Sequence, residues 1–163
     1  ESDNRLAESL FWQLSTFGGG KFGDIKSVVS NIESVLQRAG IPKDSGYRIA
    51  DGSGLSLYNY ITPQMLNALL VYAWWQQDIR AHLVPSLPIG GVDGTLKKRF
   101  HGTSAYNNIF AKTGTVSGIS SLSGYANGGN GHVISFCIIN QGVQRGSIGR
   151  NFQDQVCIAL TEK

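Results

Sequence analysis

Apolar positions in the first third of the chain recur at helical spacing. After the polar start Ser2-Asp3-Asn4, Leu6, Leu10, Phe11, Leu14 and Phe17 share one helical face, and Gly18-Gly19-Gly20 ends the run. Asp24 can cap a second helix whose Ile25, Val28, Val29, Ile32, Leu36 and Ala39 form an apolar stripe, stopped by Gly40 with Pro42 just beyond. From Asp44 to Asn59 the periodicity gives way to Gly and Ser around Asp51-Gly52-Ser53-Gly54-Leu55-Ser56, a structured loop in which Asp51 and Ser53 are expected to order turns. Thr62-Pro63 is an N-cap followed by proline at the first helical position. Leu66, Leu69, Leu70 and Ala73 should be the buried face of that third helix, which Trp74 and Trp75 close. Pro85, Pro88 and Gly90-Gly91-Val92-Asp93-Gly94 punctuate a loop over residues 85 to 94, with Asp93 expected to serve its structure.

The period changes in the last third. Ile109 to Thr113, Ile119 to Ala126 and His132 to Asn140 read as short strands separated by Gly and Asn clusters. Asn127-Gly128-Gly129-Asn130-Gly131 is a hairpin signal, so the second and third strands should pair antiparallel. A closing helix is expected to carry Ile148, Phe152, Val156, Ala159 and Leu160 on one face. Helices, then a three-stranded meander, then a terminal helix imply α+β layers.

The 163 residues can bury a core, and 41% apolar with 10% aromatic content excludes a disordered polymer. Charged residues make up only 15%, well under the usual share of about 25%, so Ser, Asn, Gln and Gly must form much of the surface. A net charge of +3 does not imply a nucleic-acid partner, because the basic residues are scattered and only Lys97-Lys98-Arg99 with His101 cluster, as a solvated face. No apolar run approaches the roughly 18 residues a bilayer span needs. Cys137 and Cys157 make neither a disulfide framework nor a metal site; buried thiols are expected, with one strand-to-helix disulfide as the alternative. His82, His101 and His132 lack ligand spacing, so neither a metal nor a cofactor is expected. Tyr58, Tyr60, Tyr106, Trp74 and Trp75 could line a groove, but aromatics beside helices are ordinarily core.

Two tripeptides carry candidate chemistry. Ser2-Asp3-Asn4 alone is an ordinary helix cap, and Lys112-Thr113-Gly114 alone is an ordinary strand end. Together, in this order and with the second heading an antiparallel meander, they match the second and third elements of penicillin-recognising serine acyl-transferases, whose first element is Ser-x-x-Lys. No Ser-x-x-Lys follows Ser2, so the chain reads as a C-terminal fragment of a longer polypeptide.

The resemblance extends further. Ser2 to Leu10, Asp51-Gly52-Ser53-Gly54-Leu55-Ser56 with Asn59, Leu87-Pro88-Ile89-Gly90-Gly91-Val92-Asp93-Gly94-Thr95-Leu96, Ala111-Lys112-Thr113-Gly114-Thr115 with Ser121-Leu122-Ser123-Gly124-Tyr125, and Phe152 to Cys157 together resemble the D-alanyl-D-alanine carboxypeptidase/endopeptidase family. That family comprises the class C low-molecular-mass penicillin-binding proteins.

This resemblance implies a penicillin-binding, transpeptidase-like fold in which an antiparallel sheet is flanked by helices. It also implies a serine-type peptidase of the periplasm or another part of the cell envelope, acting on peptidoglycan stem peptides and inhibited by β-lactams. On this reading Ser2 relays a proton to the leaving amine, and Asn4 hydrogen-bonds substrate backbone and orients the absent lysine. Lys112 holds a positive charge for hydroxyl activation and the substrate carboxylate. Thr113 and Thr115 bind that carboxylate, Gly114 leaves room along the strand edge, and the Thr115 N–H is one oxyanion donor. The upstream half, as a second piece, would supply the nucleophile and further strands beside His132 to Asn140. Two other readings stand beside this one. A serine β-lactamase would use Glu33 in Glu33-Ser34-Val35-Leu36-Gln37, although the helical stripe predicts that Glu33 faces solvent. A non-catalytic module could retain the fold, but would have no need of Ser2, Asn4, Lys112 and Thr113 together.

Overall fold

Asp24 and Thr62 start the two helices that the sequence marks most plainly. A computed structural model of the chain describes residues 2–163, which form two compact units, 2–69 and 70–163.

In the first unit, helix α1 (Asn4–Gln13) is capped by Asp3, whose Oδ1 accepts from the Arg5 and Leu6 N–H groups at 2.9 and 3.1 Å. A kinked 3-10 segment, Leu14–Gly19, breaks where Phe17 turns extended and Gly18 takes φ +70°, a conformation glycine adopts freely. The expected stripe on α1 is not the buried face. Phe11 is buried, whereas Leu6, Leu10 and Phe17 are exposed. Helix α2 (Ile25–Arg38) starts at Asp24, which accepts from Lys26 N–H at 3.1 Å, and ends before Gly40 at φ +80°. Its Val28 and Leu36 are buried as the stripe predicts, and Leu36 joins Ile41 and Met65 in a small core.

Helix α3 (Pro63–Trp75) begins with the Thr62 hydroxyl accepting from Met65 N–H at 3.2 Å. Met65 and Ala73 are its fully buried residues, while Leu66, Leu69 and Leu70 are only half-buried.

In the second unit, helix α4 (Gln77–Ser86) occupies a stretch for which the hydrophobic pattern gives no signal, and it carries Pro85 into the region expected to be loop. Strands β1 (Ile109–Val116), β2 (Ile119–Asn127) and β3 (Val133–Gln141) form the expected antiparallel meander in the order β1-β2-β3. Register places Lys112 opposite Ser123 and Thr115 opposite Ser120, and Ser120 in turn opposite Asn140. Gly124 is required at its place. A Cβ there would lie 2.1 Å from the Phe110 carbonyl oxygen and 2.6 Å from the Ala111 Cα. Among the described residues β3 pairs with β2 alone and forms an edge.

Helix α5 (Gly146–Thr161) lies on the sheet face that carries Ile109, Ala111, Leu122, Ala126 and Phe136, with Cys157 in the same core. The sequence expectation for this helix is corrected here. Its buried residues are Gly149, Gln153, Cys157 and Thr161, while Ile148, Phe152 and Ala159 are exposed. The reason is distance. A Cβ at position 149 would fall 2.8 Å from Ser120 Cβ, so only glycine lets the helix settle this close to β2. On the opposite sheet face the buried Tyr125 donates its hydroxyl to the Leu70 carbonyl at 2.7 Å, and its ring lies 5.2 Å from that of Trp74.

Candidate active site

The residues singled out by the sequence fall into two groups. Ser2 and Asn4 belong to the unit 2–69, and Lys112, Thr113, Gly114 and Thr115 to the unit 70–163.

The first group flanks Asp3. Asp3 supplies the helix cap through its carboxylate, and Asn4 is the first residue of α1. The capping that makes this tripeptide commonplace thus falls to the middle residue. The start of α1 is held from behind by the Asp51 loop. Glu8 on α1 accepts through Oε1 from the N–H groups of Gly52 and Ser53 at 3.1 and 2.9 Å. Gly52 sits so close that a Cβ would come within 2.4 Å of Phe11 Cβ. Asp51 organises the loop, accepting from Gly54 N–H (2.8 Å), Ser56 N–H (2.7 Å), Asn59 Nδ2 (2.7 Å) and Ser53 Oγ (3.3 Å). Burial alone would raise the Asp51 pKa, but the hydrogen bonds from Asn59, Ser56, Gly54 and Ser53 outweigh it and hold the carboxyl below its ordinary 3.8. The structural expectation for Asp51 and Ser53 therefore holds.

The second group lies along β1, an outer strand of the sheet, with Lys112 and Gly114 on one face and Thr113 and Thr115 on the other. Segment 88–90 covers the outer edge of β1 through Ala111 N–H to the Pro88 carbonyl at 3.0 Å and Gly90 N–H to the Ile109 carbonyl at 2.8 Å. Antiparallel pairing alternates, so the backbone groups turned away from β2 are those of Ile109, Ala111, Thr113 and Thr115. The cover ends at Ala111, and among the described residues no further strand lies along Thr113 and Thr115. The Lys112 ammonium donates to the Thr113 carbonyl at 2.6 Å. Burial by the surrounding protein draws the Lys112 pKa below its ordinary 10.5. The Thr113 hydroxyl donates to Thr95 Oγ1 at 3.0 Å, a partner that no sequence pattern indicates because it comes from the loop before β1. On the sheet face shared by Lys112 and Gly114, Ser121 Oγ donates to the Gly114 carbonyl at 3.4 Å, and a Cβ at 114 would lie 2.4 Å from that oxygen.

Other expectations resolve differently. Asp93 is structural as expected, its carboxylate accepting from Ile89 N–H at 2.7 Å. Arg99 is not part of a solvated face. Its side chain is only 9% exposed and pairs with Asp154, Nη2 to Oδ1, at 2.6 Å. Glu33 is half-buried and bound to Lys43 at 3.0 Å instead of pointing freely to solvent. Tyr58, Tyr60, Tyr106 and Trp75 are exposed, contrary to the core expectation. Cys137 and Cys157 are both free thiols, the second fully buried, and burial pushes its pKa up to about 12. Among the described residues no three His, Cys, Asp or Glu side chains are grouped to hold a metal ion.

The family model described as the D-Ala-D-Ala carboxypeptidase 3 (S13) family matches residues 1–163. The chain is 36% identical over 169 residues to the D-alanyl-D-alanine carboxypeptidase of Actinomadura sp. (strain R39), covering 99% of this chain and 30% of that one. It is 31% identical over 150 residues to D-alanyl-D-alanine carboxypeptidase DacB of Haemophilus influenzae, covering 91% and 31%. The crystal structure of penicillin binding protein 4 from Haemophilus influenzae, complexed with a β-lactam, superposes with a TM-score of 0.82 at 27% identity over 100% of this chain and 40% of that one. The chain spans about a third of the length of these curated relatives.

Proposed function

Because the chain belongs to the D-Ala-D-Ala carboxypeptidase 3 (S13) family, we propose that it forms the C-terminal part of the penicillin-binding domain of a serine-type D-Ala-D-Ala carboxypeptidase/endopeptidase. Its substrate is the peptidoglycan stem peptide, its inhibitors are β-lactams, and it works in the periplasm or another extracytoplasmic part of the cell envelope. The nucleophile comes from a Ser-x-x-Lys segment outside these 163 residues.

The observation that carries this reading is the edge of β1. The Thr113 and Thr115 backbone groups face away from β2 where the cover of segment 88–90 has ended, and Lys112 stands at the same point. An extended peptide can add there as a further strand through its main chain. The Lys112 ammonium attracts its terminal carboxylate, which the Thr113 and Thr115 hydroxyls bind. The Thr115 N–H, turned to the same edge, serves as one oxyanion donor, worth about 3 kcal/mol of transition-state stabilisation. Gly114 keeps the strand free of a side chain where the peptide lies. Ser2 relays the proton from the nucleophile to the leaving amine, and Asn4 hydrogen-bonds the substrate backbone. The acyl-enzyme is then hydrolysed by water.

The upstream part also completes the fold. Exposed Ile148 and Phe152 on α5 and the open edge of β3 are the surfaces it would cover. The alternative β-lactamase reading needs a free deacylating glutamate, whereas Glu33 is engaged by Lys43 at 3.0 Å.

The test is acylation by labelled penicillin. The polypeptide carrying the Ser-x-x-Lys segment should become labelled and hold the label for hours, and should release D-alanine from a stem pentapeptide. The isolated 163-residue chain should do neither. Release of the label within seconds supports the β-lactamase, and unchanged acylation after Lys112→Ala supports a module whose motif is decorative.

A further inference from the structure

We infer that Thr95, which stands outside the Lys-Thr-Gly element, is a positioning residue for the Thr113 hydroxyl in carboxylate recognition. The inference rests on the function proposed above and adds a residue to that site.

A threonine hydroxyl near a strand edge can turn among staggered rotamers, and water can satisfy it in each. The Thr113 hydroxyl does not have that freedom, because Thr95 Oγ1 holds it at 3.0 Å across 18 positions of sequence. Thr95 is itself fixed. It is the middle residue of the 3-10 turn Gly94–Leu96, and the following Leu96 side chain is entirely buried. Leu96 N–H donates to the Asp93 carbonyl at 3.2 Å, and Gly91 N–H to the Leu96 carbonyl at 3.0 Å. Asp93 closes the loop on Ile89 N–H, and Gly94, at φ +50°, lies against Pro88, where a Cβ would meet Pro88 Cγ at 3.0 Å. The same loop hydrogen-bonds the first half of β1 through Pro88 and Gly90. One rigid element therefore sets both the backbone of β1 and the hydroxyl two residues beyond its last backbone contact.

The chemistry of the pair explains what this does. Each hydroxyl has one proton to donate and two lone pairs to accept with. In the ligand-free arrangement Thr113 donates to Thr95. When a carboxylate arrives, the Thr113 proton turns to the anion and Thr95 donates its own proton to a lone pair of the Thr113 oxygen. The resulting chain of two hydroxyls and an anion polarises the proton that faces the charge, which strengthens a charge-assisted hydrogen bond. Valine at 95 keeps the shape of threonine but removes both the acceptor that orients Thr113 and the donor that supports it.

The experiment uses the full-length polypeptide and compares kcat/KM for a peptide ending in D-Ala-D-Ala with that for its C-terminal amide. Thr95→Val should lower the acid-to-amide preference about fivefold, the size of one supporting hydrogen bond, and Thr95→Ser should restore it. Thr95→Ala serves as the second variant should valine disturb the turn. An unchanged preference in both Thr95→Val and Thr95→Ala overturns the inference while leaving the proposed function standing. An equal fall on both substrates with a lowered unfolding temperature also overturns it, since that is a structural role. A wild-type polypeptide that cleaves neither peptide and is not acylated by penicillin overturns the proposed function and this inference with it.

Discussion

Gln153, wholly buried in the middle of α5, donates through Nε2 to Ser120 Oγ of β2 at 3.1 Å and is thereby coupled to the strand residue that faces Thr115. The same amide nitrogen donates to Asn140 Oδ1 at 3.1 Å, and its oxygen accepts from Arg99 Nη2 at 3.3 Å. A single side chain thus joins helix, two strands and the loop before β1. A buried polar group satisfied this fully is costly to remove, because its partners lose their hydrogen bonds as well. Gln153→Leu should destabilise the unit 70–163 by about 2–3 kcal/mol, read by urea unfolding. Leucine that leaves stability unchanged would mean that the network contributes no net stability.

Gly124→Ala should be among the most damaging small substitutions in the chain. The added methyl would meet backbone of β1 at 2.1 Å, and backbone cannot turn aside as a long side chain can. We expect a loss of about 2–4 kcal/mol, together with loss of penicillin acylation in the full-length polypeptide as β1 separates from β2. Circular dichroism and urea unfolding would detect the first effect.

The Asp51 carboxyl gives the first unit a dependence on acid. Its pKa in the folded chain is held below 3.8, so the unfolded chain binds protons more readily. The stabilisation is complete above that ordinary value and is lost as pH falls through the lower, folded one. Stability of the wild-type chain should fall as pH drops below the ordinary 3.8, and Asp51→Asn should be less stable at neutral pH with a flatter acid limb. Urea midpoints measured from neutral pH into that acid limb check both.

Lys112 predicts the opposite limb. Burial lowers its pKa from 10.5, so its charge is lost at a lower pH than that of an ordinary lysine. Acylation of the full-length polypeptide by penicillin should therefore decline on the alkaline side before pH 10.5. Lys112→Arg should move that decline upward, because a guanidinium stays charged. A limb that does not respond to the substitution assigns it to another group.

The thiols should behave as structural groups. Burial raises the pKa of Cys137 and takes Cys157 up to about 12, which leaves little thiolate to react at neutral pH. Ellman's reagent should label Cys137 slowly and Cys157 only after unfolding, and the intact mass should show two free thiols.

The sequence alone determined what depends on local chemistry. Asp24 and Thr62 cap helices because a side-chain oxygen beside unpaired N–H groups is satisfied within three residues. The Gly- and Asn-rich segment 127–131 turns a hairpin because glycine there meets no steric penalty. The two candidate tripeptides can be picked out of the sequence because each is contiguous. Tertiary structure decided whatever depends on which face is pressed against what. The apolar stripe of α5 pointed to Ile148 and Phe152, yet Gly149 and Gln153 face the sheet, because close approach to Ser120 and a shared polar network outrank side-chain hydrophobicity. Arg99 reads as one of a charged trio but is buried, because Asp154 lies 55 positions away in sequence and 2.6 Å away in space. The Thr95–Thr113 pair was hidden likewise. Local pattern sets what each segment can form, but a hydrogen bond between distant residues exists only once the fold has closed the distance.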